Sequence, residues 1–309
     1  MSPLHRPRPS QPQTHSGKDL PFSAGLPVTL IECPRDAMQG WPHIIPTERK
    51  IGYLNALLKV GFDTLDFGSF VSPKAIPQMA DTAEVLAGLD TEGSVTRLLA
   101  IVANFRGAEE AAGHEAIQYL GFPFSVSETF QLRNTNKTIE GSFATVEEML
   151  DLCAKTEKQL VVYLSMGFGN PYGDHWSEEV VYEWAAALSR LGVRTLSLAD
   201  TVGLATPEQV FSVTDYLVRQ LPGHTIGVHL HSTAHNRKAK IDAALQAGCR
   251  RFDGALKGIG GCPMAGSDLV GNMDTEWMIA HFREKHLSLH LNEEALFEAS
   301  RIAGEIFVA

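Results

Sequence analysis

The chain has 309 residues, 44% hydrophobic and 20% charged, enough apolar material for a sizeable core and too much for disorder throughout. Its 26 Lys and Arg against 36 Asp and Glu leave a formal net charge of −10, the wrong sign for a dedicated nucleic-acid binder, and no run of about 18 apolar residues offers a membrane span. Cys33, Cys153, Cys249 and Cys262 lie far apart with no C-x-x-C, so neither a disulfide scaffold nor a zinc knuckle is expected, and the chain reads as a soluble protein of a reducing compartment.

Residues 1–27 carry Pro3, Pro7, Pro9 and Pro12 among Ser, Gln, His and basic residues, without apolar periodicity. Such a segment buries too little surface to offset its ordering entropy and is expected to be a flexible tail. It lacks the apolar centre of a secretory signal. Its arginines, with no acid before Asp19, leave a mitochondrial transit peptide and a matrix location as the alternative, but the prolines interrupt the helix such peptides form, and a cytoplasmic location is expected.

Residues 28–309 alternate β-rich runs with helical patterns. Strands are predicted at Val28–Cys33, Thr64–Phe67, Leu98–Ala103, Ile117–Gly121, Leu160–Met166, Thr195–Ala199, Ile226–Leu230 and Arg251–Ala255. Between them, Ile51, Leu54, Leu57 and Leu58 form one helical stripe, and Val181, Trp184, Ala185 and Leu188 another. Ser177 before Glu178 and Glu179, and Thr206-Pro207-Glu208-Gln209, have the chemistry of helix N-termini. A weak repeat recurs at Gly61, Gly192 and Gly248: a helix stops at glycine and a strand begins within three residues, placing Asp66, Ser197 and Asp253 in one register. Eight strands alternating with helices predict a parallel sheet closed as a TIM (β/α)8 barrel, with further helices at the C-terminus. An open doubly wound sheet is disfavoured, because no G-x-G-x-x-G follows the first strand.

Barrel chemistry sits at the C-terminal ends of the strands. There the sequence places Arg35-Asp36 after strand one, Asp66 on strand two, Asp200-Thr201 after strand six, His229-Leu230-His231 at strand seven, and a glycine-rich stretch with Cys262 and Asn272 after strand eight. Closure makes strands seven, eight and one neighbours. Histidines two apart on a strand share a face, so His229 and His231 point together into the mouth. The plainer alternative is a hydrogen-bonded pair at a strand end. With Asp36 arriving from the adjacent strand and Asn272 available, they suggest a mixed N/O site for Mg²⁺ or Mn²⁺, with Zn²⁺ as the alternative. Arg35, always charged, suits developing oxyanion charge as well as a surface ion pair. Cys262, on a glycine-rich loop, suits an acid or base on a closing lid as well as an inert small residue. His235 is a weaker ligand candidate, and Lys74, Arg133 and Lys137 are weak candidates for attracting phosphates.

Together these stretches resemble the 3-hydroxy-3-methylglutaryl-CoA (HMG-CoA) lyase family of DRE-TIM metallolyases. The likeness runs from Val28 to at least Asn272. It rests on Glu32-Cys33-Pro34-Arg35-Asp36-Ala37-Met38-Gln39, on residues 69–79 (SFVSPKAIPQM), on Asn134-Thr135-Asn136, Asn170-Pro171-Tyr172-Gly173 and Asp200-Thr201-Val202-Gly203, on His229-Leu230-His231 and on Gly260-Gly261-Cys262-Pro263. The resemblance implies a divalent cation held by Asp36, His229, His231 and Asn272, and Arg35 polarising the thioester carbonyl. It implies Cys262 as the lid thiol, and His229 or Asp36 as the base. The reaction implied is retro-Claisen cleavage of HMG-CoA to acetyl-CoA and acetoacetate, as in leucine degradation, by a homodimer acting on an acyl-CoA, with neither nucleic acid nor membrane as partner.

Four departures mark a divergent branch. Asp66 stands where the family usually has Glu, so the bonds that orient its neighbours are expected to shift. Ala37 replaces a Gly, which is expected to restrict the turn. Ser232 replaces an acidic residue that would support the site. One extra residue between Cys262 and Asn272 weakens Asn272 as a ligand. The alternatives are a related metal-dependent aldolase or lyase acting on another 3-hydroxyacyl-CoA, a barrel hydrolase (which carries its H-x-H on an early strand), and an inactive metal-binding scaffold.

Overall fold

The computed structural model describes residues 25–261 and 270–308. Its centre is a closed parallel barrel of β1 (Thr29–Glu32), β2 (Thr64–Phe70), β3 (Arg97–Val102), β4 (Ile117–Ser125), β5 (Gln159–Ser165), β6 (Thr195–Ala199), β7 (Thr225–His229) and β8 (Arg251–Gly254), hydrogen-bonded in that order. The TIM barrel read from the sequence is the fold of the chain. β8 closes on β1, with Asp253 opposite Ile31 and Gly254 opposite Glu32, so the ends of β7, β8 and β1 stand side by side. Among the described residues no helix is long and apolar enough to cross a membrane.

The repeat has a conformational cause. Gly61, Gly192 and Gly248 all have positive φ (84°, 118° and 89°), the left-handed conformation that ends a helix without a Cβ penalty. Each is followed at the third residue by the first residue of a strand, Thr64, Thr195 or Arg251. Asp66, Ser197 and Asp253 are therefore each the third residue of their strands, and all are buried. The caps also form as expected: the Ser177 hydroxyl accepts the Val180 N–H, and Thr206 and Gln209 make a reciprocal capping box. At the chain's start the Gly25 N–H donates to the His286 carbonyl (2.9 Å) and Pro27 bridges Ser288. The end of the segment expected to be a free tail is thus tied to the barrel's outer layer.

The main apolar core lies between the strands and the helices around them. A smaller cluster joins Leu99, Val161 and Tyr163 with Ile101 and Tyr119. Arg251 donates to Asp253 (2.8 Å) and Ser197 (3.3 Å), and Asp253 in turn meets His229.

Glu32, the last residue of β1, is completely buried; it accepts the Leu256 N–H (2.8 Å) and the Thr275 hydroxyl (2.6 Å). Burial pushes its carboxyl up to about 8, with Glu276 and Asp274 adding to the shift and the two hydrogen bonds opposing it. The folded state thus binds a proton that the unfolded chain releases near 4.5, so stability is fully present below that value and declines as pH rises towards 8. Glu32→Gln keeps the acceptor and removes the titration. Its melting temperature relative to the parent is expected to rise steadily from pH 5 to pH 8, by a free energy on the order of 4 kcal/mol over the window. A difference independent of pH would show that Glu32 does not titrate there.

Candidate active site

β1 ends at Glu32, and Pro34 at the first helical position turns the chain into the short helix Pro34–Gln39. Arg35 and Asp36 are therefore held on a helix. The Ala37 N–H donates to the Cys33 carbonyl (3.2 Å). Ala37 lies within that helix, where alanine fits well, so the predicted restriction of a turn does not arise.

The Arg35 guanidinium, nearly buried at 8% exposure, is held from three sides. Nε and Nη2 donate to the Asp66 carboxylate (3.0 and 2.6 Å), and Nη1 donates to Asp36 (3.2 Å) and Gln39 (2.7 Å). Of its five N–H bonds, one on Nη2 meets no acceptor among the described residues. The shorter Asp66 still meets the fork on both arms. Burial raises the Asp66 carboxyl above its ordinary range against the pull of Arg35.

Asp36 accepts from Gln39 Nε2 (2.8 Å) and Asn272 Nδ2 (2.7 Å) as well as from Arg35. Burial pushes its carboxyl up, but Arg35, the two imidazoles and Asn272 outweigh that and hold it below the usual range. Ligand atoms of Asp36, His229 and His231 all lie within 4.8 Å of one another. Burial, and then neighbouring His229, pushes the His231 imidazole down to about 4. It is therefore neutral at pH 7, with a lone pair to give. His229 Nδ1 meets Asp253 Oδ2 at 3.3 Å. Burial disfavours its proton, but the bond and charge of Asp253, with Asp36, outweigh that and raise its affinity.

The arrangement fits a bound cation. His231 Nε2 and Asn272 Oδ1 are buried with no hydrogen-bond partner among the described residues, and an orphaned acceptor in such a place is costly unless something is bound to it. Both belong to the predicted ligand set. The extra loop residue does not carry Asn272 away: a bridge pairs it with His231, and its amide also donates to the Ile259 carbonyl (2.9 Å). Gly260 makes this closeness possible. It has φ 99°, and a Cβ there would lie 2.6 Å from Asn272 Nδ2 and 2.8 Å from the Asp36 carbonyl. A second cluster, Cys33, His229 and Asp253, is less suited to a cation. Burial keeps the Cys33 thiol far above its ordinary range, and Asp253 is already paired with Arg251.

These groups open into a cavity of about 630 Å³ lined by Arg35, Asp36, His229 and His231. Asn134, Thr135 and Asn136 are on its wall, with the exposed Arg133, whose guanidinium lies 4.7 Å above the Tyr172 ring. Six predicted site residues, Arg35, Asp36, Asp66, His229, His231 and Asn272, are thus brought together. Cys262 lies outside the described residues. His235 is exposed before the helix Arg237–Gln246 and outside the ligand cluster. Asp253 and Gln39 were not singled out as site residues. The strand register shared with Asp66 was the signal for Asp253, and the four-residue helical spacing from Arg35 that for Gln39.

The HMGL-like family matches residues 29–303. A hydroxymethylglutaryl-CoA lyase of Bacillus subtilis (strain 168) is 36% identical over 279 residues, covering 89% of this chain and 91% of its own. The crystal structure of the Bacillus subtilis HMG-CoA lyase superposes with a TM-score of 0.85 at 34% identity, over 91% of this chain and 94% of that one. An HMG-CoA lyase from A. baumannii, solved in complex with coenzyme A and 3-methylmalate, gives 0.84 at 32% identity over 91% of each chain. This chain is a member of the HMGL-like family.

Proposed function

We propose that the protein is a divalent-metal-dependent carbon–carbon lyase that cleaves HMG-CoA to acetyl-CoA and acetoacetate. The observation that carries this reading is the Asp36–His229–His231 cluster, with the orphaned His231 Nε2 and Asn272 Oδ1, at the base of the cavity. One carboxylate, two imidazoles and an amide oxygen supply a single negative charge, so a bound dication leaves a net positive site suited to an anionic chelating substrate. The mixed hard donors suit Mg²⁺ or Mn²⁺. When bound, the cation would lower the pKa of the substrate hydroxyl and fix its orientation.

The chain's own groups account for the rest. Loss of the 3-hydroxyl proton lets that oxygen form the new ketone of acetoacetate. The C–C bond breaks, and its electron pair passes towards the thioester oxygen of the departing acetyl-CoA. Arg35, fixed by Asp66 and with one Nη2–H to spare, is the donor for that oxygen. The carbanion carbon then takes a proton, the role proposed for the Cys262 thiol. Of the two base candidates, Asp36 is the poorer, being held in its ionised form by three donors. His229 has the greater proton affinity, and Asp253 on Nδ1 leaves Nε2 to face the site. That single lone pair serves either the cation or the proton at any one moment. Arg133 and the Asn134–Asn136 wall are proposed to receive the acyl-CoA. A homodimer and a cytoplasmic location complete the reading.

A coupled assay for acetoacetate released from HMG-CoA is expected to show turnover with Mg²⁺ or Mn²⁺ and none with EDTA. No release by metal-loaded protein would redirect the search to other 3-hydroxyacyl-CoA thioesters. Cys262→Ala is expected to lower kcat by about 10²-fold or more, the usual scale for a lost acid–base group, while metal content stays at the parent level. An unchanged kcat would remove the thiol from the mechanism. Gly260→Ala would push against Asn272 and the Asp36 carbonyl, and it is expected to weaken Mn²⁺ binding measured by titration calorimetry by about tenfold. Parent-like binding would show that this close approach does not hold the ligands.

A further inference from the structure

Lys240 is the one lysine of the helix Arg237–Gln246 that is wholly buried, at 0% exposure. Its Nζ donates to Asp200 Oδ2 at 2.7 Å and to the backbone carbonyl of His231 at 2.8 Å. Asp200, 2% exposed, accepts the Ala205 N–H at 3.0 Å through its other oxygen. Its own N–H donates to the His229 carbonyl at 2.9 Å. The ammonium thus ties Asp200 to the His231 backbone, while the Asp200 N–H holds that of His229.

Removing a lysine and a carboxylate from water costs several kcal/mol for each ion, and their mutual attraction often does no more than offset that cost. A buried pair is therefore a poor device for stability alone. Its placement suits one that sets a backbone carbonyl, and with it the direction of the side chain on the same residue. The His231 ring has no hydrogen bond to orient it, since its Nε2 is the orphaned atom and no partner to its other nitrogen is present among the described residues. Its orientation must come from the backbone and from packing.

We propose that Lys240, paired with Asp200, is a positioning residue that sets the His231 imidazole for the divalent cation. The inference rests on the metal reading of the site. It also has a sign that separates it from a simple charge effect. Lys240 is a cation near a cation site, so losing its charge alone would tighten metal binding, whereas losing its grip on His231 weakens it.

The test uses Mn²⁺ affinity by titration calorimetry and the visible absorption of bound Co²⁺, with thermal melting as the fold control. The parent protein is measured first. Failure to bind either ion would overturn the metal reading and this inference with it. The double variant Asp200→Asn/Lys240→Met removes both charges together and so leaves the net charge unchanged. It is expected to melt near the parent, to bind Mn²⁺ at least about tenfold more weakly, and to show altered Co²⁺ bands. Parent-like affinity and spectrum in the folded double variant would overturn the proposal while leaving the metal site standing. Should that variant fail to fold, Lys240→Gln is smaller, still a donor and unable to span both acceptors. It is expected to weaken Mn²⁺ binding severalfold despite the loss of a positive charge, and unchanged or tighter binding would overturn the proposal.

Discussion

The site depends on a division of buried charge. Asp66, Asp200 and Asp253 are each bound to a cation of their own, Arg35, Lys240 and Arg251 respectively. Asp36 shares Arg35 through one longer contact of 3.2 Å. It is the carboxylate with an oxygen turned towards two imidazoles and an amide. Were any of the other three unpaired, the site would gain negative charge and hold a dication that no longer needed substrate oxygens. Pairing them keeps the cluster short of charge, and the substrate can then supply the balance. The cost of burying such pairs is borne by the large apolar layer outside the strands.

Barrel closure puts these pairs to use. Glu32, Asp253 and His229 belong to consecutive members of the ring, β1, β8 and β7. Glu32 ties β1 to the segments after β8 through Leu256 and Thr275, and Asp274 caps the following helix by accepting the Trp277 N–H. Asn272 lies between these anchors, so its approach to Asp36 follows from backbone fixed on both sides. A metal ligand on a segment without regular structure can be as well placed as one on a strand when its neighbours are held in this way.

Residue pattern made the barrel legible because its signals were local. Three glycine stops at a fixed offset from a strand, two capped helix starts and eight β-rich runs all repeat one unit, and eight such units are the number that closes a (β/α)8 barrel. The pairing of His229 with His231 was legible because residues two apart in extended chain share a face. Lys240 was not legible. It occupies an apolar stripe with Ala243, Ala244 and Ala247 at helical spacing, but the flanking Arg237 and Lys238 make the segment look like a solvated basic face. Its partner is 40 residues away, and no local rule joins the two. The expected restriction at Ala37 fails for a related reason, because Pro34 starts a helix where a turn is expected.

The departures from the family pattern make sense together at this level. With Ser232 after the second histidine in place of an acidic residue, a carboxylate is absent from the sequence beside His231, and the Ser232 hydroxyl turns instead to Met273 Sδ at 3.4 Å. What holds the His231 backbone is the Lys240–Asp200 pair on its other side. Asp66 likewise keeps a two-armed contact with Arg35 although it is one methylene shorter than Glu. The helix Pro34–Gln39 adds Gln39 as a further acceptor for the same guanidinium. In both places the group at the cavity is held by buried neighbours, Arg35 by Asp66 and Gln39 and the His231 backbone by Lys240 with Asp200. Under the proposed function, cation binding by His231 and oxyanion stabilisation by Arg35 constrain the atoms at the cavity floor far more tightly than the residues that hold them there.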